Sequence, residues 1–295
     1  MKKRRIHSPI NDKIWEDFLQ ECESQKEIHS LKESLSEDEV YSINLILKRI
    51  RIADNLGNGE LFNYVNKGVG GFEESALRLH LFLNCIELTS RLFREIKHIH
   101  FSQWLDGKIK KKEEFTTPEE YPLLKKVKIV HQDYNKVFGV NQQYKFFFTE
   151  ALNELDKKWL FNHVWAWKSK TMERWGGGGM KLFNPTKIEN PKFEIDDCFN
   201  KWLDLEQSKR LLLITDILYK CRNSYTHGLK PYTSPNDSSH KMWPKEMKEK
   251  GGIINRGDFL HIFEENVGLA TNILPLTEVV RNCLIKVLNN FINKK

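Results

Sequence analysis

The chain has 295 residues, 40% of them apolar and 29% charged, with a net charge of +7. That is enough apolar material for a real core in one large or two small domains. The five cysteines are odd in number, far apart and without a C-x-x-C pair, which excludes a disulfide scaffold and points to reduced thiols. No stretch approaches the ~18 consecutive apolar residues of a membrane span, and the basic N-terminus has no apolar run behind it to make a secretory leader. The reading is a cytoplasmic protein.

The positive charge favours an anionic partner such as nucleic acid only weakly, because it is scattered. It gathers at Lys2-Lys3-Arg4-Arg5, at Lys108 to Lys112 and at Lys125-Lys126-Lys128. Each cluster reads equally well as a solvated face.

In chain order, Ser8-Pro9 and Asn11-Asp12 predict a helix beginning near residue 12, and residues 31–36 predict a break. Ser36 and Glu39 have the spacing of a capping box ahead of Val40, Ile43, Ile46, Leu47 and Ile50. Gly57 to Gly71 reads as a linker without the Lys-Ser/Thr ending of a phosphate loop. From Phe72 to His100 the pattern is helical and apolar on two sides, the signature of a helix in the middle of a bundle. Residues 101–140 are mixed, with Pro118 and Pro122 breaking regularity. Residues 143–173 read as an aromatic-rich helix whose Trp159, Trp165 and Trp167 are expected to fill core, with stacking on nucleic-acid bases as the alternative. Gly176 to Gly179 predicts a joint. A further helix runs from about 197 to 227, a polar loop covers 229–258, and a last helix spans 259–293 with a bend near Pro275. No strand pattern stands out. The expectation is an all-α bundle, with residues 1–70 as an N-terminal helical extension and linker and residues 71–295 as the main helical domain.

One run carries chemistry: Cys221-Arg222-Asn223-Ser224-Tyr225-Thr226-His227-Gly228. Arginine five residues before histidine is a common chance spacing, and Arg256 to His261 repeats it. Context separates the two. Leu211, Ile214, Leu218, Cys221 and Tyr225 form a helical stripe that ends at the first pair, whereas Arg256 lies among glycines. Gly228 suits the position just past a helix end. A histidine there meets the negative end of the helix dipole, which favours its protonated form. His98 and His100 have metal-like spacing, but no Cys, Asp or Glu beside them completes a set, so neither metal nor cofactor is expected.

Arg222-Asn223-x-x-x-His227 at the end of an apolar helix resembles the R-x4-6-H motif of the HEPN superfamily. The resemblance implies a helical-bundle, metal-independent endoribonuclease, active as a homodimer in which the two motifs meet. It also implies a role as a toxin or antiviral effector in abortive infection, with a regulatory or antitoxin partner protein. Arg222 and His227 would be catalytic, with Asn223 assisting. Glu87 and Arg91 match a supporting Glu-x3-Lys/Arg element of some relatives, and Glu87 is expected to approach Arg222 within the subunit. Some HEPN toxins carry a modified tyrosine two residues after the histidine. Here that position is Leu229. The alternative is a non-catalytic HEPN-like subunit that binds RNA or a protein.

Overall fold

The computed structural model describes residues 9–56, 71–95, 100–110, 120–168, 198–226, 232–235, 258–262, 267–272 and 274–295. Three N-terminal helices come first: α1 (Pro9–Glu21), α2 (Ile28–Ser34) and α3 (Glu37–Leu56). The capping box that starts α3 is formed. Glu39 Oε2 accepts from the Ser36 N–H at 2.7 Å, and Ser36 Oγ accepts from the Glu39 N–H at 3.3 Å. The two bonds satisfy amide groups that the first turn of a helix leaves open. The expected break after Leu31 is shorter than anticipated, because α2 runs on to Ser34.

The central helix is α4 (Gly71–Phe93). It ends earlier than residue 100, with Glu95 in a left-handed conformation (φ 53°) just beyond its last turn. Leu79, Phe82, Leu83, Cys85 and Ile86 are buried in a core shared with Ile43, Ile46 and Ile50 of α3 and with α10 (Leu276–Asn293). Helices on both sides of the glycine-rich stretch therefore fill one core. That stretch itself, 57–70, lies outside the described residues. α10 runs parallel to α4: Arg78 pairs with Glu278 at one end (3.1 Å), and the rings of Phe93 and Phe291 meet at the other (5.0 Å).

Residues 101–138 hold two helices where the sequence reads as mixed. These are α5 (Phe101–Lys110) and α6 (Leu123–Phe138), the latter starting directly after Pro122. α7 (Val140–Phe146) passes into a π-helical turn (Phe147–Ala151), followed by α8 (Glu154–His163). Residues 198–203 are helical, and a turn separates them from α9 (Gln207–Thr226). The expected single helix over 197–227 is thus two.

The molecule is mostly helical, as expected, but it also carries a small antiparallel sheet that the sequence reading lacked. β1 (Val164–Lys168), β2 (Tyr232–Pro235), β3 (Asp258–Ile262) and β4 (Val267–Thr271) lie in the order β1-β4-β3-β2. Trp165 and Trp167 stand on β1 rather than on a helix, and both are buried in the core. Trp167 pairs with Gly268, where a Cβ would fall inside the indole ring. Only glycine allows that close approach. The expected long helix over 259–293 is two strands followed by α10, which begins after Pro275. β1 and β4 are buried along nearly their whole length, so neither shows the apolar–polar alternation by which a half-exposed strand is read.

Among the described residues, no helix is long and apolar enough to cross a membrane. The five cysteines are free, with Cys85, Cys221 and Cys283 buried.

Candidate active site

Between the buried positions of helix α4 runs a polar stripe. His80, Asn84, Glu87 and Arg91 recur at spacings of four, three and four residues, and all four are partly exposed. That spacing puts them on one face, about two helical turns separating His80 from Glu87. A polar stripe on an otherwise enclosed helix needs partners, because desolvated polar groups are costly without them.

The partners come from α9. Gln207 at its start reaches Glu154 of α8 (3.0 Å), and the neighbouring Asn153 reaches Asn290 near the end of α10 (3.3 Å). α9 thus begins beside the start of α8, which itself lies against the end of α10. Leu211, Ile214, Ile217, Leu218 and Cys221 are buried along it and anchor it. Arg222 then falls opposite the polar stripe.

There a single carboxylate serves two guanidinium groups. Glu87 Oε1 accepts from Arg91 at 2.5 Å, one helical turn away, and Glu87 Oε2 lies 3.6 Å from Arg222 Nη2. The three side chains retain only 14–21% of their exposure, so solvent weakens the pairing less than at an open surface. The expected approach of Glu87 to Arg222 is present. Arg222 Nη1 also donates to Asn223 Oδ1 at 3.3 Å. Arg91 and Arg222 thus share the Glu87 carboxylate in a partly exposed seam.

His227 lies outside the described residues, as do Gly228 and Leu229. Helix α9 is described to Thr226, one residue before that histidine. Of the residues singled out in the sequence, Arg222, Asn223, Glu87 and Arg91 therefore converge.

Two further groups belong to this seam that the sequence reading passed over. Tyr144 of α7 is fully buried, and its hydroxyl donates to the Leu83 carbonyl at 2.7 Å. Burial raises its phenol well above the usual range, partly opposed by the Arg222 charge. Its ring meets Tyr219 edge-on at 5.8 Å, which ties α7 to both helices of the seam. His80 is the other. Burial first, and then the nearby Arg222 charge, hold its imidazole below the usual 6.5. The signal for His80 was available: it stands seven residues, two helical turns, before Glu87 on the same face. Nothing local in the sequence pointed to Tyr144.

The cysteines nearby are not nucleophiles. Burial pushes the Cys85 thiol up to about 12 and the Cys221 thiol higher still. Among the described residues, no three His, Cys, Asp or Glu side chains gather in the manner of a metal site.

No protein-family model, curated protein or solved structure matches this chain.

Proposed function

We propose that the protein is a HEPN-type endoribonuclease that cleaves RNA by attack of the substrate's own 2′-hydroxyl. The observation that carries this reading is the Glu87–Arg91–Arg222 cluster, two guanidinium groups around one carboxylate beside the motif helix. RNA supplies its nucleophile. The protein must align it, move its proton, hold the charge that develops on phosphorus and protonate the leaving 5′-oxygen. A guanidinium matches phosphate oxygens with paired, planar donors. Glu87, which Arg91 also holds, aims Arg222. His227 transfers a proton near neutral pH. Asn223 orients the histidine or the phosphate.

On a regular helix, positions five residues apart, the spacing of Arg222 and His227, point about 140° apart. Two copies facing across a two-fold axis bring the arginine of one chain toward the histidine of the other. The active form is therefore a homodimer, and the cellular role that fits is a toxic or antiviral effector held in check by a partner.

The test is incubation of purified protein with tRNA and total RNA in EDTA, alongside His227→Ala and Arg222→Ala. The expected result is 2′,3′-cyclic-phosphate and 5′-hydroxyl ends from the wild type and none from the variants. Loss of wild-type cleavage with chelator, or normal cleavage by His227→Ala, overturns the reading. Expression in cells supplies a second measure: the wild type should arrest growth and His227→Ala should relieve the arrest.

A further inference from the structure

Two of the basic clusters in the sequence, the one beginning at Lys108 and the one at Lys125-Lys126-Lys128, reach α5 and α6. Together these two helices carry six lysines against Asp106 and Asp133, in a chain whose net charge is +7. Asp133 is held within α6 by Lys136 at 2.7 Å. Among the described residues, no carboxylate pairs with Lys125, Lys126 or Lys128.

The structure adds rings to this charge. Phe101 and Trp104 lie three residues apart on α5, and His131, Tyr134 and Phe138 recur at three and four residues on α6, so each set shares a face. The five rings meet, with centroids 5.0–6.2 Å apart. His131 is exposed and the other four are partly so. Lysines lie over rings as well: Lys108 over Trp104 at 5.9 Å, and Lys125 over Tyr121, just ahead of α6, at 3.5 Å. None of the sixteen residues of α6 is buried, so this pattern does not serve the core. The C-terminal end of α6 is fixed near the candidate site. The Val137 carbonyl accepts from Gln143 Nε2 of α7 at 3.0 Å and from Arg94 Nη1 at 3.2 Å. Arg94 follows Arg91 by three residues.

Resting on the ribonuclease reading, we propose that α5 and α6 form a docking surface for single-stranded RNA. Its phosphates meet the lysines, and its bases stack on the rings. Lysines neutralise phosphates whatever the sequence. Stacking needs splayed bases, which a single strand offers and a duplex does not. Lysines set among partly exposed rings supply both. An anionic bilayer would attract the same lysines, and Leu123 and Leu124 are 78% and 69% exposed. Phe101 and Trp104, however, pack on the ring-bearing part of α6. That interrupts the apolar face by which a helix lies in a bilayer.

The test is fluorescence anisotropy with a fluorescein-labelled single-stranded RNA and with the same sequence as a duplex, over a range of salt. Arg222→Ala is the background, so that the probe stays whole. There the triple variant Lys125→Gln, Lys126→Gln, Lys128→Gln should weaken binding to the single strand by about 10²-fold near 0.1 M salt. It should also flatten the slope of log K against log salt by about 2. Tyr121→Ala with His131→Ala should weaken the single strand by about 5- to 100-fold and leave the duplex almost unchanged. None of these five side chains is buried, so thermal melting should not move. Single-strand affinity unchanged in both variants overturns the docking surface alone, whether or not RNA is cut. So does binding of the wild type to phosphatidylserine vesicles that the triple variant loses while its RNA affinity persists. Equal losses on single strand and duplex from the ring variants overturn the stacking. A chain that binds single strands through α5 and α6 yet leaves them uncut overturns the ribonuclease reading alone.

Discussion

Among the arginines paired with carboxylates, Arg281 and Arg222 are held in different ways. Arg281 of α10 is gripped by two acids. Its Nε and Nη2 reach both oxygens of Asp54 at 2.9–3.0 Å, and its Nη1 and Nη2 reach Glu21. Those bonds raise its already high pKa further, against the opposing effect of burial. The site joins α1, α3 and α10 at the edge of a cavity of about 190 Å³, where Arg51 pairs with Asp17. Arg222 instead lies 3.6 Å from the Glu87 carboxylate, which Arg91 holds at 2.5 Å. A cation gripped through three nitrogens by two anions has little left to offer a phosphate. The looser contact at Glu87 leaves the Arg222 guanidinium less tightly fixed. The first arrangement fastens helices together, and the second suits a site that binds and releases an anion.

The comparison can be broken by exchanging each arginine for an apolar residue of similar length. Arg222→Met should lower RNA cleavage by at least about 10²-fold, the scale of a lost preorganised donor. Its stability, followed by thermal melting, should change little, because Glu87 keeps its pairing with Arg91. Arg281→Met should do the reverse. It leaves Glu21 and Asp54 facing each other and should cost about 3 kcal/mol in urea unfolding, with cleavage per folded molecule unchanged. If both variants lost stability equally, the contrast between a fastening site and a working site would fail.

A smaller effect is expected in the sheet. Gly268→Ala sets a methyl group against the Trp167 ring and should destabilise by about 1–3 kcal/mol, the usual cost of overpacking. Ser36→Ala removes one arm of the α3 capping box and should cost about 1 kcal/mol.

The smallest expected effect is a slope with pH. His80 has a depressed pKa in the folded state, so below its ordinary 6.5 the unfolded chain binds a proton that the folded chain resists. Stability should therefore fall as pH drops from 7 through that value toward the folded pKa, and His80→Gln should flatten this part of the curve. An unchanged slope would show that His80 is less enclosed by α9 and Arg222 than the structure indicates.

Much of the helical architecture was legible in the chain. The capping box at Ser36, the enclosed α4 and the buried Cys85, Cys221 and Cys283 all follow from local spacing, because helix periodicity and caps are written within a few residues. The approach of Glu87 to Arg222 was legible for a different reason: a carboxylate in an apolar helix and an arginine at the edge of an apolar stripe each need a counter-charge. The sheet was not legible. Its strands are short, β1 and β4 are nearly fully buried, and a run such as Val164 to Trp167 has the same apolar content whether it is wound or extended. Only pairing across more than a hundred residues, Trp167 with Gly268, settles which.

The sequence by itself determined where helices start, which of their faces seek the interior, and that Arg222 and Glu87 each require a partner, since these depend on chemistry within one or two turns of chain. Tertiary structure alone decided that Glu87 is divided between two guanidinium groups and that His80 and Tyr144 join them. It also decided that Trp165 and Trp167 lie in a sheet. Such facts belong to distances between segments remote in the chain, and only packing sets those distances.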